Sequence, residues 1–199
     1  MMHPKNRIKL LGYILISIFV YSCNGTKKNN ISIHAKYYKV LNNENKLIGY
    51  NYRNYVFNRD TISENFFSLD MNGRVLSRKI TKFMKINSGI AIFSKIDDKV
   101  YKNTFFLMKK DSCFFVQQQF KRFDVCYKGV TEFKNYKNVY KINYEEYAND
   151  GSNYTMILDK DFTLIAKIEE NNNNIKEILL KNDSIPKSVI NKCQSLNNP

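Results

Sequence analysis

The residues able to do chemistry are few. Four cysteines stand at Cys23, Cys113, Cys126 and Cys193, and His34 is the only histidine beyond His3 in the N-terminal segment. No C-x-x-C sets thiols at metal-ligand spacing, so soft ligands are too few for a zinc site. The nucleophile elbow, the zincin helix, the phosphate-binding loop and the dinucleotide fingerprint are all missing. His34 could activate a cysteine only if the fold brought the two together. Glu145-Glu146 and Asp97-Asp98 are adjacent pairs. Adjacent residues in a strand point to opposite faces, and in a turn they face water, so neither pair reads as an acid/base couple. Asp159-x-Asp161 opens like a calcium loop but lacks the later ligands and the distal Glu. The expectation is a protein that is not an enzyme and carries no cofactor or metal.

The tyrosines are the richest chemical class. Tyr50, Tyr52 and Tyr55 nearly alternate, as do Tyr140 and Tyr144. Such rings either fill a core or line an open sheet face that binds something apolar, with hydroxyls at the rim. Tyr140, Tyr144 and Tyr154 are the candidates for a ligand-facing set.

The formal charge is +14. Such an excess favours anionic partners in general. Here it is scattered lysine with no dense basic stripe, and neither a recognition helix nor an aromatic RNA-binding motif accompanies it. Nucleic acid is not an expected partner.

The N-terminus has its own grammar. A cationic stretch, "MMHPKNRIK", precedes a 12-residue apolar run at residues 10–21. A spanning helix needs roughly 20 apolar residues, so this run reads as a secretory signal. It ends in Val20-Tyr21-Ser22-Cys23, which resembles the lipobox of bacterial lipoproteins in its branched −3 residue, small −1 residue and +1 cysteine; Tyr21 is larger than the pattern prefers. The resemblance implies a signal peptide at 1–22, lipidation of Cys23 and a flexible tether at 23–30. Each buried methylene of an acyl chain contributes about 0.8 kcal/mol, so several chains anchor where one does not. Asn24 and the absence of a following acidic run imply, by the sorting rules of such lipoproteins, the outer membrane and a periplasm-facing position.

Lipidation leaves three cysteines for one bridge at most. In "CFFVQQQFKRFDVC" a two-residue loop at Gln119-Phe120 would set Cys113 directly opposite Cys126. Gln-Phe is poor turn chemistry, so pairing of either with Cys193, or free thiols, remain alternatives.

The rest of the chain supplies elements to carry these residues. Aromatics are 14% of the chain and β-branched residues are common, which suits pleated, half-buried strands. From residue 31 apolar residues recur with period two between turn signals. Asn72-Gly73 is a hairpin signal of the type I′ kind. Tyr154, Met156 and Leu158 alternate, and after the Asp159-Lys160-Asp161 turn Phe162, Leu164, Ala166 and Ile168 are expected on one face. Only the C-terminus reads as helix, with Ser184 as cap, Pro186 in the first turn, and Val189, Ile190 and Cys193 on one side. The fold expected is mainly β: one domain over 31–199, a curved antiparallel sheet or partial barrel with a short C-terminal helix. The strand-turn-strand rhythm of residues 139–181 resembles the half-barrel of the lipoprotein carriers LolA and LolB, without the helices such carriers use as a lid.

These readings converge on a lipid-anchored, non-enzymatic envelope lipoprotein of a Gram-negative bacterium, a binding or interaction module with an apolar ligand or a protein as partner. The alternative is a protein-binding immunity, inhibitor or envelope-assembly lipoprotein.

Overall fold

The computed structural model describes residues 31–96, 98–118, 121–147, 151, 153–170, 175–181 and 184–197. The expected signal and tether, Cys23, Asp97, the hairpin tip Gln119-Phe120 and the polar run 171–174 lie outside the described residues.

Twelve strands follow one another along the chain. They are β1 (Ile31–Leu41), β2 (Leu47–Asn58), β3 (Thr61–Leu69), β4 (Val75–Ile86), β5 (Gly89–Ile96) and β6 (Lys99–Leu107) in the first half. The second half holds β7 (Ser112–Gln118), β8 (Lys121–Phe133), β9 (Tyr136–Glu146), β10 (Asn153–Leu158), β11 (Leu164–Glu169) and β12 (Lys176–Leu179), followed by helix α1 (Lys187–Asn197). Each pairs antiparallel with its neighbour, and β12 returns to pair with β1, giving the order β6-β5-β4-β3-β2-β1-β12-β11-β10-β9-β8-β7. The sheet is thus an up-and-down meander, nearly closed and barrel-like, whose two edges are β6 and β7. The turn at 108–111 joins those edges, where the Ser112 hydroxyl donates to the carbonyls of Leu107 and Lys109.

Period two decides what faces inward. On β2 the inner residues are Asn51, Arg53, Tyr55 and Phe57; Tyr50 and Tyr52 face outward. The inward apolar residues of both halves meet in one cluster that includes Tyr38, Phe57, Ile62, Phe105, Phe106, Phe123 and Ile142. On the outer face α1 lays Val189 and Cys193, with Ile185 before it, onto Tyr50, Tyr52, Phe67 and Leu69. Burial pushes the Cys193 thiol up to about 11, so it behaves as a small apolar side chain.

Two local expectations are corrected. The β3–β4 connection is not a two-residue type I′ turn. Asp70 N–H donates to the Arg74 carbonyl, which leaves a three-residue loop, and Gly73 alone takes positive φ (79°). This is the type I turn closed by a left-handed glycine, stabilised by Asp70 Oδ1 accepting from Asn72 N–H and Arg74 N–H. The second correction matters more. Phe162, Leu164, Ala166 and Ile168 do not share one face. Leu158 pairs with Leu164 but Ile157 pairs with Ala166, so Ile165 is an extra, bulged residue. Past it the faces exchange: Ala166 joins Val139, Ile157 and Ile165 in a separate outer cluster, and Lys167 turns inward.

Cys113 and Cys126 are directly opposed in the β7–β8 ladder and are joined by a disulfide, while Cys193 is a free, buried thiol. The bridge closes a short loop, worth about 3 kcal/mol in the chain-entropy model. In a Cys23→Ala background, replacing Cys113 and Cys126 by Ser is expected to lower unfolding free energy by up to about 3 kcal/mol. Urea denaturation under oxidising and reducing conditions checks it: reductant should shift the parent midpoint and leave the double variant's unchanged.

Candidate functional site

The interior is filled at one level and hollow at another. Tyr38 and Tyr55, from β1 and β2, reach across to β11 and engage both backbone groups of Leu164. The Tyr38 hydroxyl donates to the Leu164 carbonyl at 2.7 Å, and Leu164 N–H donates to Tyr55 Oη at 3.2 Å. Nearby, Lys36 bonds both Asp159 Oδ2, at 2.7 Å, and the Thr163 hydroxyl, fixing the β10–β11 turn to β1. Burial works against the Asp159 charge, but hydrogen bonds from Lys36 and Thr163 outweigh it and hold the carboxyl below its ordinary value. Asp159 Oδ1 also accepts from Asp161 N–H and Thr163 N–H, so this carboxylate serves its own turn.

Beside this filled level lies a cavity in three adjoining lobes of about 350, 230 and 150 Å³. The largest lies within the range of small-molecule sites. Its walls are ionic: Arg53, Glu64, Lys79, Lys167, Glu169 and Glu177. The smallest is apolar, walled by Phe83, Ile90, Phe105, Phe106, Met156 and Leu158 among others. Glu64 and Lys167 line all three lobes, so they stand where the ionic and apolar parts meet.

Arg53 organises the ionic wall. Its Nε and Nη2 donate to the two oxygens of Glu177, each at 2.9 Å, and Nη1 donates to Glu64 Oε1 at 2.6 Å. The guanidinium also lies over the Phe66 ring, 4.5 Å from its centroid. Burial opposes the charge on Arg53, but Glu177 and Glu64 prevail and keep it protonated. The side chains are 13%, 11% and 6% exposed for Arg53, Glu64 and Glu177, so the triad is close to dry. Its three charges sum to −1, with each guanidinium nitrogen donating to a carboxylate.

Lys167 has no such partner. Its ammonium sits 3.6 Å from the centroid of the Tyr154 ring and makes no hydrogen bond or ion pair to another described residue. Burial lowers it to about 8; Glu177 and Glu169 pull it up, and Arg53 and Lys79 push it further down. A second polar group is also waiting. Asn51 is 8% exposed, lines the ionic lobe, and its Oδ1 has no hydrogen-bond partner among the described residues.

The tyrosines singled out from sequence divide. Tyr154 walls the two larger lobes and Tyr144 the middle one. Tyr140 is spent in packing, stacked on Phe162 with centroids 5.3 Å apart. Tyr144 is pushed well above its ordinary value by burial first and by Glu146 second, so it is a neutral hydroxyl throughout the physiological range. His34 is exposed and packs on Phe57 at 4.9 Å. Glu145 and Glu146 fall on opposite faces, with Glu146 lining the middle lobe and Glu145 an outer hollow. Period-two reading misses Lys167 because the Ile165 bulge is silent in the apolar pattern. Arg53 and Glu64 are single charges amid aromatic strands at inward parity, a pattern that marks each residue but not their meeting. No protein-family model, no curated protein and no solved structure matches this chain.

The two cations should respond oppositely to substitution. Arg53→Met leaves Glu64 and Glu177 facing each other in a dry site and is expected to cost about 3–5 kcal/mol. Lys167→Met removes a buried charge that no described carboxylate hydrogen-bonds and is expected to raise stability by about 1 kcal/mol. The pH profile carries the same information. From pH 8 towards pH 10 the unfolded lysine holds its proton while the folded one releases it, so the parent gains stability as pH rises. Lys167→Met should lack that gain. Denaturant midpoints of the three proteins at pH 7 and across pH 8–10 check both statements.

Proposed function

We propose that this protein is a lipid-anchored envelope module that holds a small amphiphile inside its barrel. The cavity carries the reading. A barrel of this size with a fully packed interior needs no buried charge, yet this one keeps Arg53, Glu64, Lys167, Glu169 and Glu177 largely buried around a hollow, with Lys79 exposed, and runs that hollow into an aromatic and aliphatic arm. A site of this kind gives affinity through its apolar wall and orientation through a few fixed polar groups. Nothing in it is arranged as a nucleophile with its base, so binding rather than turnover is the function it supports. The lipobox-like end of the N-terminal segment supports the anchor, and the lysine excess favours a position beside anionic headgroups.

The test is native mass spectrometry on protein extracted from its own membranes in mild detergent. The expected spectrum has acyl mass on Cys23 and a second, dissociable adduct of a few hundred daltons or less, on the order set by a cavity of this class. Thr81→Trp, which fills the ionic and middle lobes, should fold with the parent's circular dichroism and lose the adduct. Cys23→Ala should lose palmitate labelling and leave the membrane fraction. Palmitate retained on Cys23→Ala refutes the anchor. An adduct retained by Thr81→Trp refutes the cavity as its site, and its absence from the parent refutes carriage.

A further inference from the structure

Resting on that reading, we propose that the ligand is a long-chain carboxylate: its head group sits on the Lys167 ammonium and its chain runs along Phe83, Phe105, Met156 and Leu158. The sign of the head group comes from counting satisfied charges. Arg53 already has two carboxylates, giving Nε and Nη2 to the oxygens of Glu177 and Nη1 to one of Glu64. A ligand anion there would meet two carboxylates already in place. Glu169 and Lys79 are each engaged already. Lys167 feels Glu177 and Glu169 without touching them: it makes no hydrogen bond or ion pair to a described residue and has a ring face beside it, so its ammonium is the cation with donors to spare for an anionic head.

The neutral groups beside Lys167 bear on the charge of the head. Asn51 lines the same ionic lobe as Lys167, nine-tenths buried, with one amide oxygen unsatisfied among the described residues. The Thr81 hydroxyl lines the ionic and middle lobes and is a further donor. One ammonium with neutral groups around it suits a carboxylate of one negative charge. A dianionic phosphate monoester would bring a second charge with no cation left to meet it, while Glu64, Glu169 and Glu177 repel it.

The chain follows from where Lys167 stands. It lines all three lobes, so a head group on its ammonium leaves the apolar arm as the continuous way onward. That arm is walled by rings and by Met156, whose unbranched thioether adapts to a flexible chain.

The experiment measures displacement of the neutral fluorophore N-phenylnaphthylamine from the full chain at pH 7 by decanoate and by decanol. The two competitors share a chain and differ in the head. Decanoate is expected to bind about tenfold more tightly, the effect of one charge-assisted hydrogen bond. In Lys167→Met decanoate should weaken by about tenfold while decanol stays within about twofold of the parent. The lysine variant is expected to be at least as stable as the parent, so a loss there is not a loss of fold. Lys167→Arg, which keeps the charge, should retain a preference for decanoate. Equal affinities in the parent would overturn the carboxylate and leave amphiphile binding standing. A preference that survives Lys167→Met would overturn Lys167 as its seat. A decyl phosphate that outcompetes decanoate would overturn the single charge. If neither competitor displaces the fluorophore and the fluorophore itself does not bind, the cavity reading fails and the head-group assignment with it.

Discussion

The grip of Glu64 and Glu177 on Arg53 is the constraint around which the rest is arranged. The strands it joins, β2, β3 and β12, come from the two ends of the chain, and β12 is the short strand that must find β1 to close the meander. A ladder of four residue pairs holds β1 to β12, with a backbone bond from Leu180 to Tyr37 beyond it. A slip of one residue there would turn Glu177 out of the barrel and leave Arg53 buried with half its partners. Buried ion pairs seldom add net stability, because desolvation offsets the attraction. What such a pair does supply is discrimination between registers, since every wrong alignment strands a charge in a dry place. The longest-range pairing in the fold is therefore the one with an ionic lock.

A lock of this kind dictates a hollow. Arginine and two glutamates around one guanidinium cannot be packed over by leucines without leaving carboxylate lone pairs dry. The fold separates the two demands by level along the strands. Tyr38 and Tyr55 close the filled level by tying both backbone groups of Leu164, so the polar tips of two buried rings are met by the chain itself. Below them the interior opens, and the residues that remain are those that could not be packed. The cavity is the geometric consequence of placing a charged register device inside a sheet that curls almost closed.

Much of the architecture is legible because antiparallel strands write their faces in the sequence with period two. Tyr154, Met156 and Leu158 face inward as their alternation requires, and α1 shows its apolar side at Val189 and Cys193. Legibility fails where the period breaks. The Ile165 bulge adds a residue without any glycine, proline or turn residue to announce it, because Leu164, Ile165 and Ala166 are all acceptable on either face. One step later the parity is reversed, and a lysine that reads as a solvated outer charge becomes the central cation of the cavity. The ionic triad is hidden differently. Its members are separated by 11 and 124 residues, and no local pattern marks that they meet. Glu177 in particular sits in a four-residue strand between unremarkable lysines and leucines.

The two hidden features are linked. Without the bulge, β11 would present Ala166 and Ile168 inward opposite Arg53, and the interior could close over the triad with apolar volume. With it, Lys167 and Glu169 enter the ionic lobe, leaving its net charge unchanged while enlarging its polar wall. A bulge costs ladder hydrogen bonds, and a buried lysine held by a ring face costs solvation. Both costs fall on the same three residues and neither improves the packing of the barrel. Such costs concentrate where a fold is shaped for something other than its own stability. The filled level shows that this sequence can complete a core when packing alone decides; the hollow level, a few residues away on the same strands, has been left incomplete around one cation and one amide.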